Sequence, residues 1–289
     1  MTGGRCSSHL LAVRFGQKEH SGQSGREEAF VMREEIRHPV EHCPVVAIAG
    51  GSAGLGRALA EVLLRRGLSV VLCARRERRL QEVVESLLAL GPVDGVAGDI
   101  ADPQFRHTWL SHVVRRFGRL DALVICASTL GDIPMPFLRD THIVNLRTVF
   151  EVNAFAPVLL LQQALPLLAE RPHSLCLAIS SDAAVAGYPG WGVYGASKAA
   201  LDLFTKTFAR ETDLDHMALY SVDPGDMDTE LHRLADPDAT ADGLADPAEV
   251  AAVLAHLFDP VLTGAPFPHP SGTRLAVRGT ALVPCEGGC

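Results

Sequence analysis

The sequence predicts an α/β protein built on one doubly wound parallel sheet. Three observations lead there. From residue 44 onward, short runs rich in Val, Ile, Leu and Ala alternate with stretches of helical spacing. Uniformly apolar strands of that kind belong to a parallel sheet covered on both faces, and right-handed crossovers wind it in both directions. A glycine-rich turn, "AGGSAGLG" (49–56), joins the first apolar run to the first helix. The chain has 289 residues, 47% of them hydrophobic, enough for a single large core.

The elements follow in order. "VVAIAG" (45–50) is a buried-strand run that ends in glycine. "GLGRALAEVLLRRG" (54–67) has helical spacing and stops at Gly67. "SVVLCA" (69–74) is the second strand, and "RRERRLQEVVESLLAL" the second helix, closed by Gly91-Pro92. Further strands are expected at 93–100, 121–128, 174–181, 217–224 and 273–277. Helices are expected over 103–117, 138–170, about 190–213 and 247–258. No internal repeat is visible.

Residues 1–43 read differently. They are rich in Gly, Ser, Glu and Arg without sustained periodicity, the composition of a disordered extension. Arg5, Arg14 and Lys18 come with no acid among the first 18 residues, which faintly resembles a transit peptide. Met32 offers a second point at which translation could start. The folded domain is expected over 44–289.

Composition excludes some classes. Lys and Arg number 26 against 34 Asp and Glu, a formal charge of −8. That balance argues against nucleic acid or an anionic membrane as the main partner. No unbroken run reaches the ~18 apolar residues of a membrane span. None of the seven cysteines forms a CxxC pair, and Cys73, Cys126 and Cys176 lie in strand-like runs as small hydrophobes. The "CEGGC" tail reads as loose chain, with a disulfide or metal site as the alternative. The expected compartment is reducing, the cytoplasm.

The glycine turn carries the first functional expectation. Gly50 can make the tight turn out of the strand, and bare Gly54 and Gly56 let a phosphate approach the helix N-terminus. A glycine turn alone is weak evidence, but strand before and helix after is the context of a dinucleotide site. An acid at the end of the second strand would accept from both ribose hydroxyls, as NAD requires. Ala74 stands there instead, followed by Arg75 and Arg76. A guanidinium suits a 2′-phosphate, so NADP is expected over NAD, with NAD possible. The alternative is a solvated basic start to the next helix. In "GDIAD" (98–102), Asp99 can accept from an adenine amino group and Ile100 can pack on its ring, while Asp102 suits a helix N-cap.

The glycine loop, "GDI", and Ser181 followed thirteen residues later by "YGASK" (194–198) together resemble the short-chain dehydrogenase/reductase family, of the size called classical, over roughly residues 44–280. The resemblance implies a Rossmann fold and hydride transfer between NADP(H) and a carbonyl or alcohol. It implies catalytic roles for Ser181, Tyr194, Lys198 and Asn153 of "EVNAFAP", with Ser180 as runner-up to Ser181. Asn153 would hold a water leading protons to the lysine. It implies cofactor contacts from Ser52 and Leu55 in the glycine loop, Ala127, Pro224, Gly225 and Thr229. It also implies a homodimer or homotetramer through the helices near 151–170 and 190–213.

Elementary electrostatics points the same way. Tyr194 and Lys198, at i and i+4, share one helix face about 6 Å apart along the axis. Bringing a phenol of pKa near 10 to about 7 needs roughly 4 kcal/mol, and one ammonium at ~5 Å supplies about 3 kcal/mol at an effective dielectric of ~20. Lys198 is therefore expected to lower the pKa of Tyr194. Two departures from the family pattern stand out: Ala49 replaces the usual Thr, and "ICAS" (125–128) replaces Asn-Asn-Ala-Gly. Asp182, Tyr188 and Trp191 are the expected substrate residues, for a flat or apolar carbonyl compound, with core or subunit packing as the alternative. The segment from 226 to 245 is expected to be a lid, or an ordinary loop with a short surface helix. A silent nucleotide sensor or a scaffold on the same fold is the alternative function.

Overall fold

Strand β1 (Val45–Ala49) is buried along its whole length and lies inside the sheet, third of its eight strands. It pairs in parallel with β2 (Ser69–Ala74) on one side and β4 (Ala122–Ile125) on the other. The computed structural model describes residues 43–212, 214–240 and 243–285. The expected extension up to residue 42 and the terminal Cys289 lie outside them. The remaining strands are β3 (Val93–Ala97), β5 (Ser174–Ile179), β6 (Met217–Asp223), β7 (Arg274–Arg278) and β8 (Ala281–Pro284). Their order is β3-β2-β1-β4-β5-β6-β7-β8 in one eight-stranded sheet. Every pairing is parallel except β7 with β8.

Alternation along β1 explains the two layers. Val46 and Ile48 face one core with Leu59 and Leu63 of α1 (Gly54–Arg65) and Val250 and Leu254 of α8 (Pro247–Leu254). Val45, Ala47 and Ala49 face the other, with Trp109 and Val113 of α3 (Pro103–Phe117) and Leu160 and Ala164 of α5 (Ala156–Ala169). Burying each such large side chain contributes about 1.5–3 kcal/mol. The strand order reverses between β1 and β4, so the crevice at their carboxyl ends is where a ligand binds in folds of this kind.

Each expected strand is present, and β8 is an addition. It returns antiparallel to β7 through the tight turn Gly279-Thr280, with Gly279 at φ +59°. Asp102 caps α3 through the Gln104 amide. The helix expected over 138–170 is divided. A single 3-10 turn covers Leu138–Asp140, and the chain then extends at Thr141. α4 (Ile143–Phe150) follows, runs through a π turn at Glu151–Phe155, and continues as α5. Ile143–Ala169 is long and apolar enough to cross a membrane by length and composition. Its face bearing Leu160, Ala164 and Leu168 is fully buried in the core, as in the central helix of a layered domain. The other helices are α2 (Glu77–Leu87), α6 (Gly192–Thr212), α7 (Glu230–Ala235) and α9 (Asp259–Thr263).

Candidate active site

The glycine turn leaves β1 with Gly50 at φ +89°. Its amide and that of Gly51 both donate to the Cys73 carbonyl of β2. A Cβ at Gly50 would lie 2.6 Å from the Ala127 nitrogen, and one at Gly56 would lie 2.3 Å from the Gly50 carbonyl oxygen. The turn is thus as tight as bare backbone permits. Ala53, at the N-cap of α1, offers no side-chain cap, so the first N–H groups of that helix keep their capacity for an anion. These features fit a dinucleotide diphosphate. Ser52 is buried within the turn, while Leu55 turns its side chain into the core and has only backbone to offer a cofactor.

At the end of β2, Arg75 is exposed. Among the described residues it carries no hydrogen bond or ion pair. Arg76 and Arg79 instead hold Glu230 at the start of α7. Asp99 accepts from the Ala101 amide at 2.9 Å, closing its own turn after β3. Ile100, expected against an adenine ring, is only 4% exposed and joins the core that holds Phe105 and Trp109. Its side chain is committed to packing.

Asn153 sits in the π turn, fully buried, with every side-chain group engaged. Its Nδ2 donates to the Thr129 carbonyl (2.8 Å) and the Ser197 hydroxyl (3.0 Å). Its Oδ1 accepts from the Thr129 amide (2.8 Å) and the Ser128 hydroxyl (3.2 Å). The side chain clamps the loop after β4 to α6, so only its backbone is left to hold a water. Ser128 and Thr129 supply here the polar contacts that Cys126 lacks.

Ser181 follows β5. Its hydroxyl donates to Asp182 Oδ1 (3.0 Å), and its carbonyl accepts from Arg274 Nη2 (2.8 Å). Arg274 also donates to Asp202 Oδ2 at 2.8 Å. Tyr188 donates its phenol proton to Asp182 Oδ2 at 2.8 Å. A Cβ at Gly195 would fall 2.3 Å from the Ala183 carbonyl oxygen, so α6 begins hard against the Ser181 segment. Tyr194 therefore faces the Ser128 and Ser181 hydroxyls, which favour its ionised form. Lys198 Nζ stands 5.6 Å from the Tyr194 ring centre and donates to the Ile179 carbonyl at 2.8 Å.

Burial dominates both titrations. It pushes Tyr194 up to about 12, with the carboxylates of Asp182 and Asp223 adding to the rise. It pushes Lys198 down to about 8, against the pull of Asp202. The phenol thus lies above rather than below its ordinary value, because its burial outweighs the Ser128 and Ser181 hydroxyls that favour ionisation.

An apolar cluster packs around Tyr194. Leu130, Ala183 and Tyr194 form its centre, with Met135, Trp191, Leu231 and Ala235 packed on it. Trp191 meets Tyr194 edge-on at 5.6 Å. Leu231 and Ala235 belong to α7, which closes over the site. Thr229 caps α7 through the His232 amide, and its methyl group would lie 3.2 Å from a Cβ at Gly54. Gly225 (φ +74°) is held by its amide donating to Asp223, in the Pro224-Gly225 turn after β6.

A family model described as short chain dehydrogenase matches residues 44–239. The chain belongs to the short-chain dehydrogenase family. The family is one of NAD(P)-dependent oxidoreductases. This short-chain dehydrogenase is 31% identical over 210 residues to dehydrogenase/reductase SDR family member 7B of Danio rerio, covering 70% of the chain and 66% of the relative. It is 33% identical over 189 residues to 11-beta-hydroxysteroid dehydrogenase A of Sesamum indicum, covering 65% and 53%. It thus spans between 53% and 66% of the length of these two curated relatives. Among solved structures it resembles YIR035C, a short chain dehydrogenase/reductase from Saccharomyces cerevisiae, at a TM-score of 0.70 and 25% identity, covering 81% of this chain and 95% of that one.

Two residues of this short-chain dehydrogenase had no sequence signal. Arg274 reaches Ser181 across 93 positions and Glu230 reaches Arg76 across 154. Neither lies in a local motif.

Proposed function

We propose that this chain catalyses hydride transfer between NADP(H) and a small carbonyl or alcohol compound. The observation that carries the reading is the meeting of Ser181, Tyr194 and Lys198 beside the glycine turn at the carboxyl edge of the sheet. The nicotinamide cofactor supplies or accepts the hydride when bound. The phenol of Tyr194, neutral at pH 7, gives its proton to the substrate oxygen during reduction. Ser181 orients that oxygen by donating a hydrogen bond, for which its hydroxyl turns from Asp182. Lys198, poised near neutrality, takes part in restoring the proton and holds the ribose. The exposed, unpaired guanidinium of Arg75 supports NADP over NAD.

The apolar cover of Leu130, Met135, Trp191 and Leu231 supports a flat, apolar substrate, in keeping with a relative named for hydroxysteroids. Exposed Phe155, Leu159, Leu203 and Phe204 on the π turn, α5 and α6 support a homodimer or homotetramer. Buried Cys73 and Cys176 and partly buried Cys126, free of disulfides, support a reducing, cytoplasmic location.

The test is a panel of apolar ketones and alcohols assayed with NADPH and NADH in parallel. Tyr194→Phe should lower turnover by at least about a hundredfold while keeping NADPH affinity within about threefold. Turnover that survives this change would remove the phenol from the chemistry.

A further inference from the structure

Glu230 joins the start of α7 to the basic end of β2. It is the first residue of α7, nearly half exposed, yet both its oxygens are engaged. Arg76 grips it with two bonds, Nη1 to Oε1 at 3.1 Å and Nη2 to Oε2 at 3.0 Å. Arg79 Nη1 adds a third to Oε2 at 2.5 Å. The two guanidinium groups hold the Glu230 carboxyl down to about 2. Thr229, the preceding residue, is the one whose methyl group faces Gly54 of the diphosphate turn. Glu230 therefore reaches the basic end of β2 from the residue beside the glycine turn, and its oxygens occupy two guanidinium groups that can also bind phosphate.

We propose that Glu230 sets how strongly this chain prefers a 2′-phosphorylated nucleotide, by competing with that phosphate for Arg76 and Arg79. The proposal rests on the reading of this basic end as the ribose site. Arg75 remains open for the phosphate, while its two neighbours are already occupied by an internal anion. A phosphate carries about −1.5 to −2 charges, so it must displace the carboxylate or endure its repulsion. A nucleotide with a plain ribose leaves the pairs intact. Exposed ion pairs are individually weak, so the exchange is reversible and sensitive to salt.

The test is calorimetric titration of NADPH and NADH into the full chain, wild type against Glu230→Gln. The variant should bind NADPH about three- to tenfold more tightly, with NADH changed by less than about twofold. In an Arg76→Gln, Arg79→Gln background the same Glu230→Gln change should have no effect on the ratio of affinities. An equal shift for both nucleotides, an unchanged ratio, or an effect that persists without the arginines would each overturn the proposal. The ratio is compared with the wild type's own. A wild type that binds NADH more tightly therefore defeats the cofactor reading alone, and an unchanged ratio defeats the role of Glu230 alone.

Discussion

Burial pushes the Tyr194 phenol up to about 12 and the Lys198 ammonium down to about 8, so at neutral pH the tyrosine keeps its proton. Asp182 contributes to that rise and also accepts the Ser181 hydroxyl. Neutralising it by Asp182→Asn removes a negative charge that opposes the phenolate. The phenol pKa then falls, and the alkaline limb of the reduction rate moves to lower pH, while alcohol oxidation at pH 8 gains. Rate profiles in both directions check this; a limb that moves upward would reverse the sign. Arg274→Lys keeps a charge beside Asp202 but cannot bridge Asp202 and the Ser181 carbonyl as the planar fork does. Turnover should fall about tenfold with stability lowered by about 1 kcal/mol, measured by steady-state rates and denaturation. Tyr194 and Lys198 were legible from their i, i+4 spacing, whereas Ser181, at a strand end, and Asn153 were singled out by the family resemblance. Arg274 was not, because only the strand order β5-β6-β7 brings it near Ser181.

Among elements, the turn after β1 and the start of α6 depend on hydrogen where a side chain would stand. Gly56→Ala puts a methyl group 2.3 Å from the Gly50 carbonyl oxygen, so backbone must move at the diphosphate turn. Nucleotide affinity should drop at least about tenfold, with about 1–3 kcal/mol of stability. Gly67→Ala is the control. Its Cβ meets nothing within 4 Å, but φ is +87°, so it should lose stability through backbone strain without a specific loss of nucleotide binding. Titration and thermal melting distinguish the two. Strands β1, β2, β4, β5 and β6 were readable because each is a largely apolar run buried along nearly its whole length, whereas β3 and β7 carry polar residues and are only partly buried. β8 was not readable, since "ALVP" is short, exposed on most of its length and ends in proline. The division before α4 was hidden as well. The apolar spacing runs past Thr141, whose extended backbone ends the 3-10 turn.

Across the whole molecule, alkaline pH acts on buried thiols, phenols and one lysine. Cys126 and Cys176 are held up at about 12 by burial, and Cys73 is pushed further in the same direction. Their folded values lie above the unfolded 9.0, so unfolding releases protons above that pH and stability is lost as pH rises. Tyr194 and Tyr220, raised from 10.0 to about 12, act the same way from pH 10. Lys198 opposes them. Its folded value near 8 lies below the unfolded 10.5, so in that window it adds stability as pH rises. One lysine against three thiols and two phenols predicts a shallow maximum near pH 8–9 and a fall beyond, about 1.4 kcal/mol per pH unit for each thiol that ionises on unfolding. Denaturation midpoints from pH 7 to 11 check it, and Cys73→Ala with Cys176→Ala should flatten the alkaline arm. The cover over Tyr194 has a different consequence. Leu130 and Met135 come from the chain between β4 and α4, Trp191 from the approach to α6, and Leu231 and Ala235 from α7. None belongs to a strand. On the proposed reading of Tyr194 as the proton donor, selectivity is therefore separable from the scaffold. These three connections can drift or be exchanged as a cassette, and new substrates acquired, while the sheet, the glycine turn and the phenol stay as they are.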